Sequence, residues 1–334
     1  MTHVRAEKVD REQVFQDQGG NGGPMSPRGI VYIALALFTL SPWSSPSLAL
    51  LLGMAVGLLG GHPFTKQSKK ISGLLLRTCV VLLGFTMNFG IVLEVGLRGL
   101  GMAIVTIGLT FALGALLSKL LGVPARTSLL ISAGTAICGG SAIAAVGAVT
   151  EAEEGEMTVS LATVFLLNAL ALYLFPPLGH WLQLSQESFG VWAGIAIHDV
   201  SSVVGAATLY GPLALQTATA VKLSRALWIA PMTLVIARIY QKPGAGAGAF
   251  PWFILLFILA SAFRALIPAI TPVVPVIAAI SKAGLALTLF LIGSGLSVRM
   301  LRAVGWRTLA EGLILWAFIS LLSLFVLVTG VLPL

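Results

Sequence analysis

The segment Ala196-Ile197-His198-Asp199-Val200-Ser201-Ser202 places an imidazole, a carboxylate and two hydroxyls side by side, with apolar residues on both flanks. Imidazole titrates near neutrality, and an adjacent carboxylate can share its proton or stabilise its charged form. The set suits proton coupling through His198 and Asp199, with Ser201 and Ser202 as ligand-binding hydroxyls. It equally suits a satisfied polar contact between helices. A second interruption is Gly134-Thr135-Ala136-Ile137-Cys138-Gly139-Gly140-Ser141-Ala142-Ile143, again inside an apolar run. The Gly139-Gly140 pair weakens a helix, because glycine loses most entropy on entering one. Backbone freed there would need protein or a wet cavity beside it. A helix restarting after the pair would aim a partly positive N-terminus at an anion. Small residues also serve close helix packing, the plainer explanation. Lys222 and Arg225 complete the set; three residues apart, they share one helix face. Two cations in an apolar run need a partner: Asp199, a helix C-terminus or an anionic substrate.

Cys138 or Ser141 could act as a nucleophile with His198 as base. The chain offers no second acid motif, no metal-ligand spacing and no water-side catalytic domain, so an enzyme is not expected. No cofactor and no metal are expected. Cys79 and Cys138 both lie in apolar runs and make no disulfide framework.

The elements that would hold these residues follow from composition. Of 334 residues, 57% are hydrophobic and 10% charged, with a mean hydropathy of +0.99. A soluble domain has roughly 25% charged residues. The fold class is therefore all-α, a polytopic membrane protein. Eleven transmembrane helices are expected at about 28–41, 46–62, 70–94, 99–119, 126–149, 157–178, 187–209, 212–238, 250–268, 272–296 and 303–332. Residues 1–27 form a polar tail, and Pro243 to Gly248 a flexible connection. The net charge of +8 does not indicate nucleic acid, because the basic residues sit between apolar runs, as the positive-inside rule requires.

Loop charge places the N-terminus in the cytoplasm and the C-terminus outside. Arg28, Lys66, Lys69, Lys70, Lys119, Arg126, Arg238, Lys242, Arg299, Arg302 and Arg307 then fall inside. Arg98, Arg264 and the acidic residues Glu151, Glu153, Glu154 and Glu156 fall outside. Two internal echoes occur, but they do not share one spacing and cannot both mark the same repeat; the expected repeats follow from counting spans. Ala136 to Ser141 matches Ala196 to Ser201, and Val95-Gly96-Leu97-Arg98 matches Val304-Gly305-Trp306-Arg307. Inverted five-helix repeats are expected over 46–180 and 185–334, with 28–45 as a peripheral first span.

Thr135 to Ala145, His198 to Val204, and Lys222-Leu223-Ser224-Arg225 through Pro231 resemble the signatures of the YeiH-like family, bacterial inner-membrane proteins labelled as sulfate exporters. The resemblance covers about 28–330. Its pattern is similar to the inverted-repeat group of bile-acid symporters and sodium–proton antiporters. That likeness implies broken helices crossing at mid-membrane, one break at Gly139-Gly140 and the other in the tenth span near Gly284 or Gly293. The resulting expectation is a secondary transporter of a small oxyanion in the bacterial cytoplasmic membrane. The substrate would meet Thr135, Cys138, Gly139, Gly140, Ser141, Ser201, Ser202, Lys222 and Arg225. A proton or sodium would be coupled, and the state of oligomerisation is open. A cation–proton antiporter centred on Asp199 is the alternative, followed by a channel.

Overall fold

The computed structural model describes residues 26–59, 65–240 and 252–329. Most of the polar tail and the Pro243–Gly248 connection lie outside the described residues. Among the described residues every regular element is helical. Helices α1 (Pro27–Thr39), α2 (Pro46–Leu59) and α3 (Thr65–Gly84) lead into α4 (Phe89–Leu121). The middle of the chain holds α5 (Ala125–Ala136), α6 (Gly140–Thr150), α7 (Glu154–Trp181), α8 (Gln186–Ala196), α9 (Val200–Tyr210), α10 (Pro212–Ala226) and α11 (Ile229–Ile239). Then come α12 (Trp252–Leu266), a 3-10 turn (Pro268–Val273), α13 (Val274–Ser294), α14 (Val298–Ala303) and α15 (Trp306–Thr329). Among the described residues five stretches are long and apolar enough to cross a membrane: α4, α7, α10 with α11, the 3-10 turn with α13, and α15.

Local chemistry sets several boundaries. Asn88 starts α4, its Oδ1 accepting from Gly90 N–H at 2.8 Å and Ile91 N–H at 3.3 Å. Gly122 ends it in the left-handed region at φ 67°. The expected loop near 94–99 therefore lies inside α4. Its charges form an exposed pair one turn apart, Arg98 to Glu94 at 2.9 Å, so the turn falls earlier, after Gly84. The tenth span is unbroken from Val274 to Ser294. Its glycines serve close packing: a Cβ at Gly284 would collide with Cys79 Sγ, and one at Gly293 would lie 2.7 Å from the Leu50 carbonyl oxygen. The expected break near Gly284 or Gly293 is thus absent.

The larger correction concerns the fifth and seventh expected spans. Helix α5 runs parallel to α7: Ser160 Oγ donates to the Thr127 carbonyl at 3.4 Å, and Gly134 packs on Val164. Helix α6 runs the other way, with Gly140 on Phe165 and Gly147 on Met157. So α5 and α6 form a hairpin whose two outer ends share one end of the bundle. Arg126, at the start of α5, pairs there with Glu156, at the start of α7, at 3.3 Å. The loop-charge reading put those two residues on opposite sides of the membrane; their contact overturns it.

Helices α8 and α9 repeat the pattern from the opposite end. Gly190 packs on Thr217 and Gly194 on Val221, so α8 runs parallel to α10. Helix α9 returns to its own start, where Tyr210 stacks on Phe189 at 3.7 Å and its hydroxyl donates to the Leu184 carbonyl at 2.6 Å. Each segment turns back where it was expected to carry on. Breaks occur where expected at Gly139-Gly140, but the helices around them do not cross the fold. The second echo joins opposite ends: Val95 to Arg98 lies beside Glu187, and Arg307 beside Gly122.

Candidate functional site at two hairpin tips

The tips of the two hairpins touch. A Cβ built on Gly139 would lie 3.5 Å from Asp199 Cα and Cβ. Helix α5 has 12 residues and α8 has 11, about 18 and 16 Å of rise. Entering from opposite ends, they meet at mid-height of a layer close to the ~30 Å hydrocarbon thickness of a bilayer. The sequence folds this way for different reasons at each tip. At the first, Gly139 takes φ 67° and ψ −126°, which a side chain disfavours. At the second, Asn168 Oδ1 on α7 accepts from both His198 N–H and Asp199 N–H, each at 3.1 Å. Asp199 then caps α9, its Oδ2 accepting from Ser201 N–H at 2.9 Å and from the Ser201 hydroxyl.

The two half-helices that leave the tips differ. The N-terminus of α9 is capped by Asp199. That of α6 has no side-chain cap, and its first internal bond is Ile143 N–H to the Gly139 carbonyl at 3.2 Å. The N–H groups of Gly140, Ser141 and Ala142 precede that bond; the Ala142 N–H is directed at the Cys138 sulfur, which leaves those of Gly140 and Ser141. Gly140 is half-buried and Ser141 exposed, while Thr135, Cys138, Ser201 and Ser202 are buried.

Lys222 and Arg225 project from α10 onto the other half of the first tip. Lys222 Nζ donates to the Ile137 carbonyl at 3.3 Å. Arg225 donates to the Ala136 carbonyl and, at 2.8 Å, to Thr106 Oγ1. Both side chains are buried, at 0% and 1% exposure. Among the described residues no ion pair joins either cation to Asp199. Of the three partners open to them, the structure provides a helix C-terminus, where cations are favoured. Glycines 190 and 194 let α10 approach α8 closely enough to bring the cations to the tip.

The junction also holds buried polar atoms without hydrogen-bond partners among the described residues: Thr135 Oγ1, Asn168 Nδ2, Arg225 Nε and both ring nitrogens of His198. The Val164 backbone lies near that ring. A cavity lined by Glu94, Arg98, Met102, Glu187 and Val221 opens from the Tyr210 end and reaches Arg225. All the expected site residues thus converge on the two tips. Sequence reasoning missed Asn168, Thr106 and Glu311. Asn168 and Glu311 carry the signal used for the others, a polar side chain inside an apolar run. Thr106 carries none, since threonine is ordinary in membrane helices.

Among known proteins, a family model described as conserved hypothetical protein 698 matches residues 29–312. A UPF0324 membrane protein of Porphyromonas gingivalis is 47% identical over 309 residues, covering 89% of this chain and 94% of its own. A UPF0324 membrane protein of Geobacter sulfurreducens is 45% identical over 300 residues, covering 90% and 96%. No solved structure matches. With its apolar helices and these relatives, the chain belongs to the UPF0324 membrane proteins, the YeiH-like family described as conserved hypothetical protein 698.

Proposed function

We propose that the protein is a secondary transporter of a small oxyanion, held between the two hairpin tips, in the bacterial cytoplasmic membrane. The observation that carries this reading is electrostatic. The α6 N-terminus has no side-chain cap at Gly140 and Ser141. It begins three residues after the Ile137 carbonyl that buried Lys222 holds, with buried Arg225 on the Ala136 carbonyl beside it. The carboxylate present, Asp199, is already engaged as a cap. An oxyanion offers several acceptors to such converging donors. Thr135, Asn168 and Arg225 Nε supply further unpaired polar groups, and His198, buried beside the Val164 backbone, is the candidate to carry a coupled proton.

The hairpin-plus-span unit occurs over 125–181 and again over 186–239, entering from opposite ends. We take these as inverted repeats, with alternating access arising as the hairpins move against the remaining helices. The Arg126 end is assigned to the cytoplasm, because Lys119, Arg126, Arg238 and Arg302 gather there; acidic residues weigh little in that rule.

Flux of sulfate, sulfite and sulfonates into proteoliposomes tests the reading. Lys222→Gln should slow it about tenfold or more, as loss of a charge-assisted contact of ~1.5–3 kcal/mol implies. Unchanged flux removes the charge argument. Asp199 at the second tip favours a different reading, cation–proton antiport. There Asp199→Asn abolishes exchange and Lys222→Gln spares it.

A further inference from the structure

A second buried ionisable site lies away from the tips, on α15. Glu311 is 0% exposed. The Ser128 hydroxyl of α5 contacts its Oε1, and its Oε2 has no partner among the described residues. The same Ser128 hydroxyl donates to the Gly114 carbonyl of α4 at 3.0 Å. A hydroxyl has one hydrogen to give. If that hydrogen goes to Gly114, then Ser128 can only accept from Glu311, which must carry a proton. If it goes to Glu311, the carboxyl is either still protonated or ionised. An ionised carboxylate there would sit fully buried with one donor and, among the described residues, no cation, the costlier arrangement.

The charged groups on the packed elements leave Glu311 alone. Arg307, one turn earlier on α15, lies against Gly122 and over the Trp306 ring, 5.7 Å from its centroid. On α5, Arg126 pairs with Glu156 of α7. Lys119 of α4 and Glu154 of α7 sit at the helix ends, and both are exposed. Glu94 and Arg98 of α4 pair with each other near Glu187 of α8, at the far end, where His180 of α7 stacks on Tyr210. Among the described residues none makes an ion pair with Glu311.

We propose that Glu311 is a proton-binding site that fastens the first hairpin to its frame through Ser128. The proton joins α15 and α4 to α5, an arm of the hairpin that carries the first tip. Ionisation, on exposure to water at the Arg126 end, releases that arm. The purpose assigned here rests on the transport reading, but the proton occupancy does not.

Infrared spectroscopy of the purified protein, without any substrate, tests it. At neutral pH the wild type shows the carbonyl stretch of a protonated carboxylic acid. Glu311→Gln removes that component, whereas Asp199→Asn leaves it. Ser128→Ala keeps the band but shifts it, which gives a readout even if the first variant folds poorly. The proposal is overturned if wild-type and Glu311→Gln spectra coincide there, or if Ser128→Ala leaves the band unmoved. It is also overturned if sodium chloride, against choline chloride at equal ionic strength, raises the melting temperature of the wild type but not of Glu311→Gln. That result would make the carboxylate a sodium ligand. Failure of anion flux with the infrared result intact would sink the transport reading and leave the proton site standing.

Discussion

Gly139 and Asn168 hold the two tips by different means, and their replacements should fail differently. A side chain at Gly139 meets Asp199 at an ordinary van der Waals distance, so the cost of Gly139→Ala comes from the backbone at φ 67°. That strain amounts to about 1–3 kcal/mol, read as a lowered melting temperature in detergent. Asn168→Ala removes the acceptor of two buried N–H groups, His198 and Asp199. Each stranded donor costs about 1–3 kcal/mol, so this variant should be the less stable of the two. Equal stability of Asn168→Ala and wild type would contradict the role given to that amide. Lys222 and Arg225 show why a buried cation need not mean a buried acid. Carbonyls at the end of α5 receive their hydrogens, while Lys222 keeps donors to spare.

The hairpins make a prediction of their own. Arg126 and Glu154 belong to one end of the bundle, because Arg126 pairs with Glu156. Gln183 belongs to the other, beside Leu184 and Tyr210. In a background with Cys79 and Cys138 replaced, a membrane-impermeant thiol reagent should label Arg126→Cys and Glu154→Cys from the same side. Gln183→Cys should label from the opposite side. Labelling of the first two from opposite sides would restore a crossing segment. The sequence does reveal where the first helix stops, since Gly139-Gly140 cannot hold a helix in hydrocarbon cheaply. It also hints at the second stop, through the echo between Ala136–Ser141 and Ala196–Ser201. It does not reveal what the chain does next. A helix that restarts forward and one that turns back have the same hydropathy and nearly the same length. Loop charge is equally blind, because two missed returns cancel. Only the loops at 151–153 and 182–185 change ends, and every later loop keeps the side assigned to it. Gly284 and Gly293 mark no stop, because glycine there admits the side chain of Cys79 and the backbone of α2. Asp199, a cap residue in mid-span, is the more telling signal.

At the scale of the molecule, two half-helices begin at one central point, reached from opposite ends by arms that each span about half a bilayer. One beginning is closed by its own carboxylate. The other stays open, with Ser141 exposed beside it. Two cations add positive potential in a medium where charge is weakly screened. A small oxyanion bound there should therefore stabilise the resting protein, since a ligand that binds the native state raises apparent stability. The direct measurement is the melting temperature of the purified protein against sulfate, sulfite, sulfonates, carboxylates, sodium and lithium at constant ionic strength. At least one oxyanion should raise it in the wild type and lose most of that effect in Lys222→Gln. A rise with sodium or lithium, abolished by Asp199→Asn and matched by no anion, would contradict it.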